Sequence, residues 1–397
     1  MSELTLAALL SPITVDAFME RYWGRKPLIV RRQAPHLYAC LPDSEEFAFL
    51  LHSLTDPERG WFSIVNGVAR PPSDSLLTQE GLLNLSEVYA AYRDGNSLLM
   101  NQVQRRHRET AMLCRRIESA LSAHGIALAR HIGANGYLSP PSSQGFNIHY
   151  DPHDVLILQI EGRKHWRLYG RHVAWPTQPP ATPIPPEEAG SPRREFVLSP
   201  GELVYIPRGV LHDANTTDSR SLHLTLSIET LTWTDLLIEA MSDNPAFRRN
   251  LPVCPPFGKR IGDEARAELT RLTASLNNPR ALRRALAAMS GRLLGNLDPL
   301  PNGGFAEVDG LHLIEPKTWL SLAPGTFGHV EVNGDEAILH LPGSALRAAR
   351  EMAKAFYYLL RARRVRACDL PVSASEADKL TFVRKLVQMG FLVKASE

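Results

Sequence analysis

His149 and Asp151 stand two residues apart in "GFNIHYDPHDVLILQIEGRKHWRLYG" (Gly145–Gly170), just ahead of an apolar run. Imidazole and carboxylate are both metal donors. In an extended chain, residues i and i+2 project to the same side, so the pair can grip one ion. A third donor is available in "GELVYIPRGVLH", where His212 follows the tight turn Pro207-Arg208-Gly209. Two histidines and a carboxylate on one face, with open positions opposite, form the ligand set of non-haem Fe(II) oxygenases. Zinc accepts the same donors, so donor type alone leaves the metal open. Singly, each of these residues reads as ordinary surface. In this order, on segments that read as strands, they point to a metal centre.

Lys164 narrows the chemistry. It follows the Glu161-Gly162 turn, fifteen residues after His149, and opens the next strand of a hairpin. From there an ammonium can reach into a barrel and hold the far carboxylate of 2-oxoglutarate, whose 2-oxo acid end would chelate iron. That speaks against the rival reading of an isomerase or a metal-binding protein without oxygenase activity. In "SLHLTLS", Leu222, Leu224 and Leu226 face one way while His223, Thr225 and Ser227 face the other. If the polar face is the barrel interior, it lines the cosubstrate pocket. His153 is expected at the rim or in the core, and His165 and His172 on the hairpin surface. Trp166 and Trp175 are expected in core or turn packing.

The elements that must hold these residues follow from the periodicity. Residues 127–230 contain short apolar segments separated by Gly and Pro turns: "ALARHIGANGYLS", "DVLILQIEG", "KHWRLYG", "EFVLSPG", "ELVYIPRG" and "SLHLTLSIE". That texture predicts an antiparallel sandwich or barrel. "WPTQPPATPIPPEEAGSP", with seven prolines, reads as a surface excursion of polyproline type. The first third reads as helices and loops, with helices over Val15–Tyr22 and about 105–124 and an extended "PLIVRR". After Thr230 the period is helical. Thr232 and Asp235 have capping-box spacing, and Leu269, Leu272 and Leu276, then Leu282, Leu286, Met289 and Leu293, form apolar stripes. Gly295–Gly304 reads as a linker. "HVEVNGDEAILHL" predicts a hairpin turning at Asn333-Gly334. Helices are expected over Ala345–Arg363 and Ser375–Met389, with Gly390 as a stop.

Composition bounds the class. A chain of 397 residues with 44% apolar content supports two or three domains. The formal net charge of +2 makes no case for nucleic acid as the main ligand. The last helix carries Glu376 and Asp378 beside Lys379, Arg384 and Lys385, unlike a uniformly basic groove reader. A regulator binding DNA through it is therefore the weaker reading. Cys40, Cys114, Cys254 and Cys368 lie far apart with no CxxC pair, which fits a reducing compartment. No signal peptide or membrane-spanning run is apparent, so a soluble cytoplasmic protein is expected.

Taken together, these motifs resemble the JmjC-type ribosomal oxygenases, cupin-fold Fe(II)/2-oxoglutarate protein hydroxylases. "RYWGRKPLIVRR" is similar to their N-terminal segment, "SQGFNIHYDPHDVLILQIEGRKHWRLY" to the central motif, and "GELVYIPRGVLHDA" to the second metal motif. "SLHLTLSIETLTWTDLL" resembles the last core strand and the start of a helical dimerisation domain; the closing region resembles a winged helix. The resemblance implies a double-stranded β-helix catalytic domain with an N-terminal helical extension over 1–231. It implies a helical dimerisation domain over 232–298 and a winged-helix-like domain over 299–397. It implies Fe(II) on His149, Asp151 and His212, and 2-oxoglutarate on Lys164 with Asn135, Thr225 and Ser227. O2 is the second cosubstrate, and Tyr137 borders the substrate. It further implies hydroxylation of an arginine or histidine in a protein, a ribosomal one above all, by a homodimer without membrane attachment. The Pro-rich insertion and the short His212–His223 segment depart from the pattern near the expected substrate entrance.

Overall fold

The computed structural model describes residues 3–54, 60–242, 244–250, 262–297, 304–362 and 364–395. They fall into two compact units, 1–126 with 131–229 and 127–130 with 230–397.

The first unit opens with short helices α1 (Leu6–Leu10) and α2 (Val15–Arg21), whose caps Thr5 and Thr14 accept from the Ala8 and Ala17 amides. Strand β1 (Leu28–Val30), helix α3 (Ser44–His52), strands β2 (Phe62–Asn66) and β3 (Val68–Arg70), helix α4 (Leu85–Arg93), strand β4 (Ser97–Met100) and helix α5 (Arg108–Ala123) follow. The first third is therefore more than helices and loops. Strands β2 to β4 are only three to five residues long and carry no sustained alternation, yet they extend the main sheet.

The core strands are β5 (Gly133–Ser139), β6 (Asp154–Glu161), β7 (Lys164–Arg171), β8 (Arg194–Leu198), β9 (Leu203–Ile206), β10 (Val210–Thr216) and β11 (Ser221–Ile228). One turn of helix, α6 (Pro186–Ala189), sits in the Pro-rich stretch. The large sheet has the order β1-β9-β6-β11-β5-β4-β2-β3, and a second sheet has β10-β7-β8. All pairings within these sheets are antiparallel. Val155, Ile157, Val204 and Ile206 of the large sheet pack with Trp166, Leu168, Leu198 and Ala214 of the small one. This is the expected double-stranded β-helix. Strand β6 reads as an apolar run interrupted only by Gln159 between its terminal acids because it is central and covered on both faces.

Two glycines set the site's geometry. Gly162, at φ 63°, turns β6 into β7; a Cβ there would fall 1.8 Å from the Arg220 carbonyl oxygen. Gly209, at φ 81°, leads into β10; a Cβ would fall 2.1 Å from the Val173 carbonyl oxygen. Only glycine fits both, and the turns deliver Lys164 and His212.

The second unit begins with α7 (Trp233–Ser242), α8 (Asp263–Leu276) and α9 (Pro279–Asn296). The capping box forms: the Thr232 amide donates to Asp235 Oδ2 at 2.7 Å and the Asp235 amide to Thr232 Oγ1 at 3.3 Å. Gly295 still belongs to α9, while positions 298–303 of the expected linker lie outside the described residues. Then come α10 (Gly304–Asp309), β12 (Leu320–Leu322), β13 (His329–Asn333), β14 (Glu336–Leu341), β15 (Ser344–Ala349), α11 (Ala353–Arg361), α12 (Glu376–Gln388) and β16 (Leu392–Lys394). The hairpin forms with Asn333 paired to Glu336, so Gly334 and Asp335 make the turn. The helix expected from Ala345 begins only at Ala353. Gly343, at φ 68°, turns the chain so that 344–349 pairs with β14, overriding the helical propensity of "SALRAA". Gly390, at φ 71°, ends α12 as expected.

Cys40, Cys114 and Cys368 are free thiols, and Cys254 lies outside the described residues. No helix among the described residues is long and apolar enough to cross a membrane.

Candidate metal centre and its cavity

His149 and Asp151 lie on an extended segment ahead of β6, not within a regular strand as expected. His149 instead forms a single antiparallel bridge to His212. The His149 amide donates to the His212 carbonyl at 3.1 Å and the His212 amide to the His149 carbonyl at 2.8 Å. Each ring sits with Nδ1 beside a backbone carbonyl two residues earlier, Asn147 at 2.7 Å and Val210 at 3.0 Å. Nδ1 is thereby taken, and Nε2 of each imidazole is left for a ligand. His212 Nε2 lies 3.6 Å from Asp151 Oδ2, and the donor atoms of all three residues lie within 4.8 Å of one another. Among the described residues, this is the one cluster of three or more such donors.

The electrostatics suit a cation. Burial, and then the neighbouring His149, push the His212 imidazole down to about 4, so it is neutral at physiological pH. Burial alone would push the Asp151 carboxyl up, but His212, His149 and His153 together hold it below its usual range. A neutral imidazole and an ionised carboxylate are the protonation states a metal needs.

The triad opens onto a cavity of about 440 Å³, which is also lined by Lys164, Asn135, Tyr137, Thr225 and Ser227. Every site residue read from the sequence therefore meets in one place. Register explains why. On neighbouring strands, Thr225 pairs with Asn135, His223 with Tyr137, and Ser227 with Gly133, so the polar stripes of β5 and β11 share a face. His153 and Trp166 line the same cavity. His165 and His172 are partly exposed and lie beside Glu195 and Glu188, whereas Trp175 stands exposed in its turn.

Lys164 is 3% exposed and donates to Ser139 Oγ at 3.0 Å; Ser139 in turn accepts from Ser97 Oγ at 2.8 Å. No carboxylate among the described residues pairs with it, and burial pushes its ammonium down to about 7. A buried, unpaired cation is costly unless an anion joins it. Close by, His223 Nδ1 and Trp166 Nε1 are buried without a protein hydrogen-bond partner. Burial, then Lys164, pushes the His223 imidazole well below its ordinary value. Its ring stacks on Tyr137 at 4.7 Å, and burial raises the Tyr137 phenol. The donor set fits a divalent metal, and the buried lysine fits a small dicarboxylate.

The sequence reading missed three features. Ser139 shares the face of Asn135 and Tyr137, and extending that alternation by one step would have found it. Asp213 is buried and held by Arg167 at 2.8 and 2.5 Å and by the Tyr169 hydroxyl at 3.3 Å. The Pro-rich stretch is more than a surface excursion, since Pro179–Pro183 line the cavity.

Comparison with known proteins agrees with this geometry. Residues 104–236 match the JmjC domain family, so the chain carries a JmjC domain. It is 32% identical over 289 residues to a bifunctional lysine-specific demethylase and histidyl-hydroxylase NO66 of Dictyostelium discoideum, covering 68% of this chain and 54% of that protein. It is 34% identical over 265 residues to human ribosomal oxygenase 1, covering 62% and 38%. The chain spans about half the length of the first curated relatives it matches. Its fold is like that of the Escherichia coli ribosomal oxygenase YcfD solved with cobalt and 2-oxoglutarate, at a TM-score of 0.56 and 18% identity over 97% of this chain and 99% of that one.

Proposed function

We propose that this JmjC-domain chain is an Fe(II)- and 2-oxoglutarate-dependent dioxygenase that hydroxylates a protein side chain, with a ribosomal protein as substrate. The observation that carries the reading is the buried Lys164, unpaired by any described carboxylate, in the same cavity as the His149, Asp151 and His212 triad. The names of the relatives, ribosomal oxygenase and histidyl-hydroxylase, support it. So does a neighbour that binds cobalt and 2-oxoglutarate.

In this reading the triad holds Fe(II), which when bound supplies oxygen activation and the oxidative decarboxylation of the cosubstrate. The overall reaction consumes O2 and 2-oxoglutarate, yields succinate and CO2, and converts a substrate C–H into C–OH. Lys164 and Ser139 hold the far carboxylate. Asn135, Thr225 and Ser227 line the cosubstrate space. Tyr137, fixed by its stack on His223, borders the incoming side chain. The barrel walls orient the reactants and exclude water.

The cavity favours a neutral side chain such as histidine over arginine. Of the two acids that line it, Asp151 belongs to the triad and Asp213 is already bound by Arg167. A guanidinium would enter beside Lys164 with no carboxylate left to meet it. Val65, Val68, Pro179, Pro180 and Pro183 add an apolar wall.

The protein acts as a homodimer through α7–α9. Ile238, Leu269 and Leu286 are about half exposed there, at 54%, 52% and 47%, and two-fold pairing would cover them. A monomer by light scattering at micromolar concentration would remove the dimer.

The test of the activity is Fe(II)-dependent conversion of 2-oxoglutarate to succinate by the full chain, with ribosomal-protein peptides read by mass spectrometry. A gain of 16 mass units, one oxygen, on a histidine supports the reading. No succinate under any peptide would sink the oxygenase, and oxidation of arginine alone would sink the preference.

A further inference from the structure

The second unit carries a concentration of basic residues in one stretch of sequence. From Ser344 to Arg366 the sequence has seven basic residues and one acid, Glu351, in a chain whose 44 basic and 42 acidic residues otherwise nearly balance. Several of the seven are engaged locally. Arg347 pairs with Glu336, Arg350 donates to the Gly334 carbonyl, and Arg366 pairs with Asp369. Lys354 and Arg361 have no carboxylate partner among the described residues.

Helix geometry gathers these two. Ala355, Phe356 and Leu359 turn one side of α11 into the core. Lys354, Tyr357 and Arg361, at i, i+3 and i+7, share the exposed side. With Tyr358 and Ala362 they line a shallow surface hollow, and no acid lines it. Tyr357 is 44% exposed, with the Arg361 guanidinium 5.9 Å from its ring centroid. Five residues after Arg361, the Arg366 guanidinium lies 4.4 Å from the ring of Trp319, itself 45% exposed. Arg364, between them, is exposed.

We infer that this face binds single-stranded nucleic acid, with phosphates at Lys354 and Arg361 and a base on Tyr357. Cations alone would serve any polyanion. The exposed Tyr357 ring set between them is what distinguishes this surface, because a single strand offers charge and a stacking partner together. An acidic protein segment would use the charges and leave Tyr357 idle. A membrane would need an aliphatic face, which this side of α11 does not present. The inference is independent of the proposed reaction. It also differs from groove reading by the last helix, α12, whose mixed charge argues against that role.

The test uses the full-length protein and fluorescence anisotropy with a labelled 15-nucleotide uridine-rich RNA, a matched single-stranded DNA and a duplex DNA. Both single strands should bind more tightly than the duplex, and affinity should fall steadily as salt rises. The double variant K354E/R361E should bind at least tenfold more weakly. Y357A should lose about tenfold and Y357F much less, since a phenyl ring still stacks. All the changed side chains are exposed, so thermal midpoints should stay near wild type. Undiminished binding by K354E/R361E would overturn the site. Equal loss in Y357F and Y357A would overturn the stacking. Polyglutamate competing as well as RNA would show an acidic protein surface to be the ligand instead. No binding at about 0.1 M salt would overturn the inference altogether.

Discussion

The two units bury different things. Among the described residues, every fully buried polar or charged side chain lies in the first unit, from Ser97 to His223. The core of the second is built from residues such as Ile314, Leu320, Phe356, Leu359, Val383 and Phe391, and it is apolar throughout. Burial of a polar group is unfavourable unless it finds partners. Much of the first unit's polar interior does so internally: Asp213 is saturated by Arg167 and Tyr169, and Ser221 accepts from Gln159 at 2.8 Å. Lys164 and His223 are left with capacity to spare, and they sit in the cavity. The first unit thus buries polar groups both in its core and around its cavity, whereas the second keeps its charge on the outside.

That contrast can be tested from both ends. The largest effect is expected at Asp151. Asp151→Ala should abolish 2-oxoglutarate turnover while circular dichroism and thermal midpoint remain close to wild type, because Asp151 serves the cavity and not the core. An unfolded variant, or one with full activity, would break the contrast. Phe356→Ala is the counterpart in the second unit. It should cost about 3–5 kcal/mol in chemical denaturation and leave turnover per folded molecule unchanged.

Lys164→Ala comes next. Loss of a charge-assisted contact of about 1.5–3 kcal/mol should raise the 2-oxoglutarate requirement roughly ten- to a hundredfold. An unchanged requirement would take Lys164 out of the pocket. The smallest effect is a pH dependence. An anion binds the protonated lysine, and in the free protein that form is lost as pH rises through about 7. The 2-oxoglutarate requirement should therefore climb from pH 6.5 to 8.5, and Lys164→Arg should flatten the climb. A requirement that falls with pH would reverse the assignment.

How much of this could be read beforehand depended on range. The His149-Asp151 spacing, the Gly162 turn before Lys164 and the alternation of β11 are local patterns, and each led to a residue that lines the cavity. His212 was reachable because its own turn residues precede it. Ser139 was not paired with Lys164 in advance because that contact crosses from one sheet to the other, and Ser97 reaches Ser139 from the neighbouring strand β4, which the periodicity did not show. Strands β2 to β4 escaped for a related reason: their pairing partners, not their own periodicity, make them strands. Residues 344–349 went wrong in the opposite sense, since good helix formers were recruited as a strand by the Gly343 turn. Proline content rightly kept 175–192 out of the sheets, but composition carries no information on which wall a loop will cover.

The mutual backbone bonds between His149 and His212 fasten together two stretches far apart in the sequence. The pincer is thus held by the two backbone hydrogen bonds of a single bridge, which need no ion to form. Metal loading is then expected to be separable from folding. Stripping with a chelator should lower the melting temperature only by the linkage owed to a bound ligand, and adding ferrous ion back should restore it without a refolding step. Such a centre can empty and refill within the lifetime of one molecule, so its occupancy would follow the iron supply around it rather than the rate at which new chains are made.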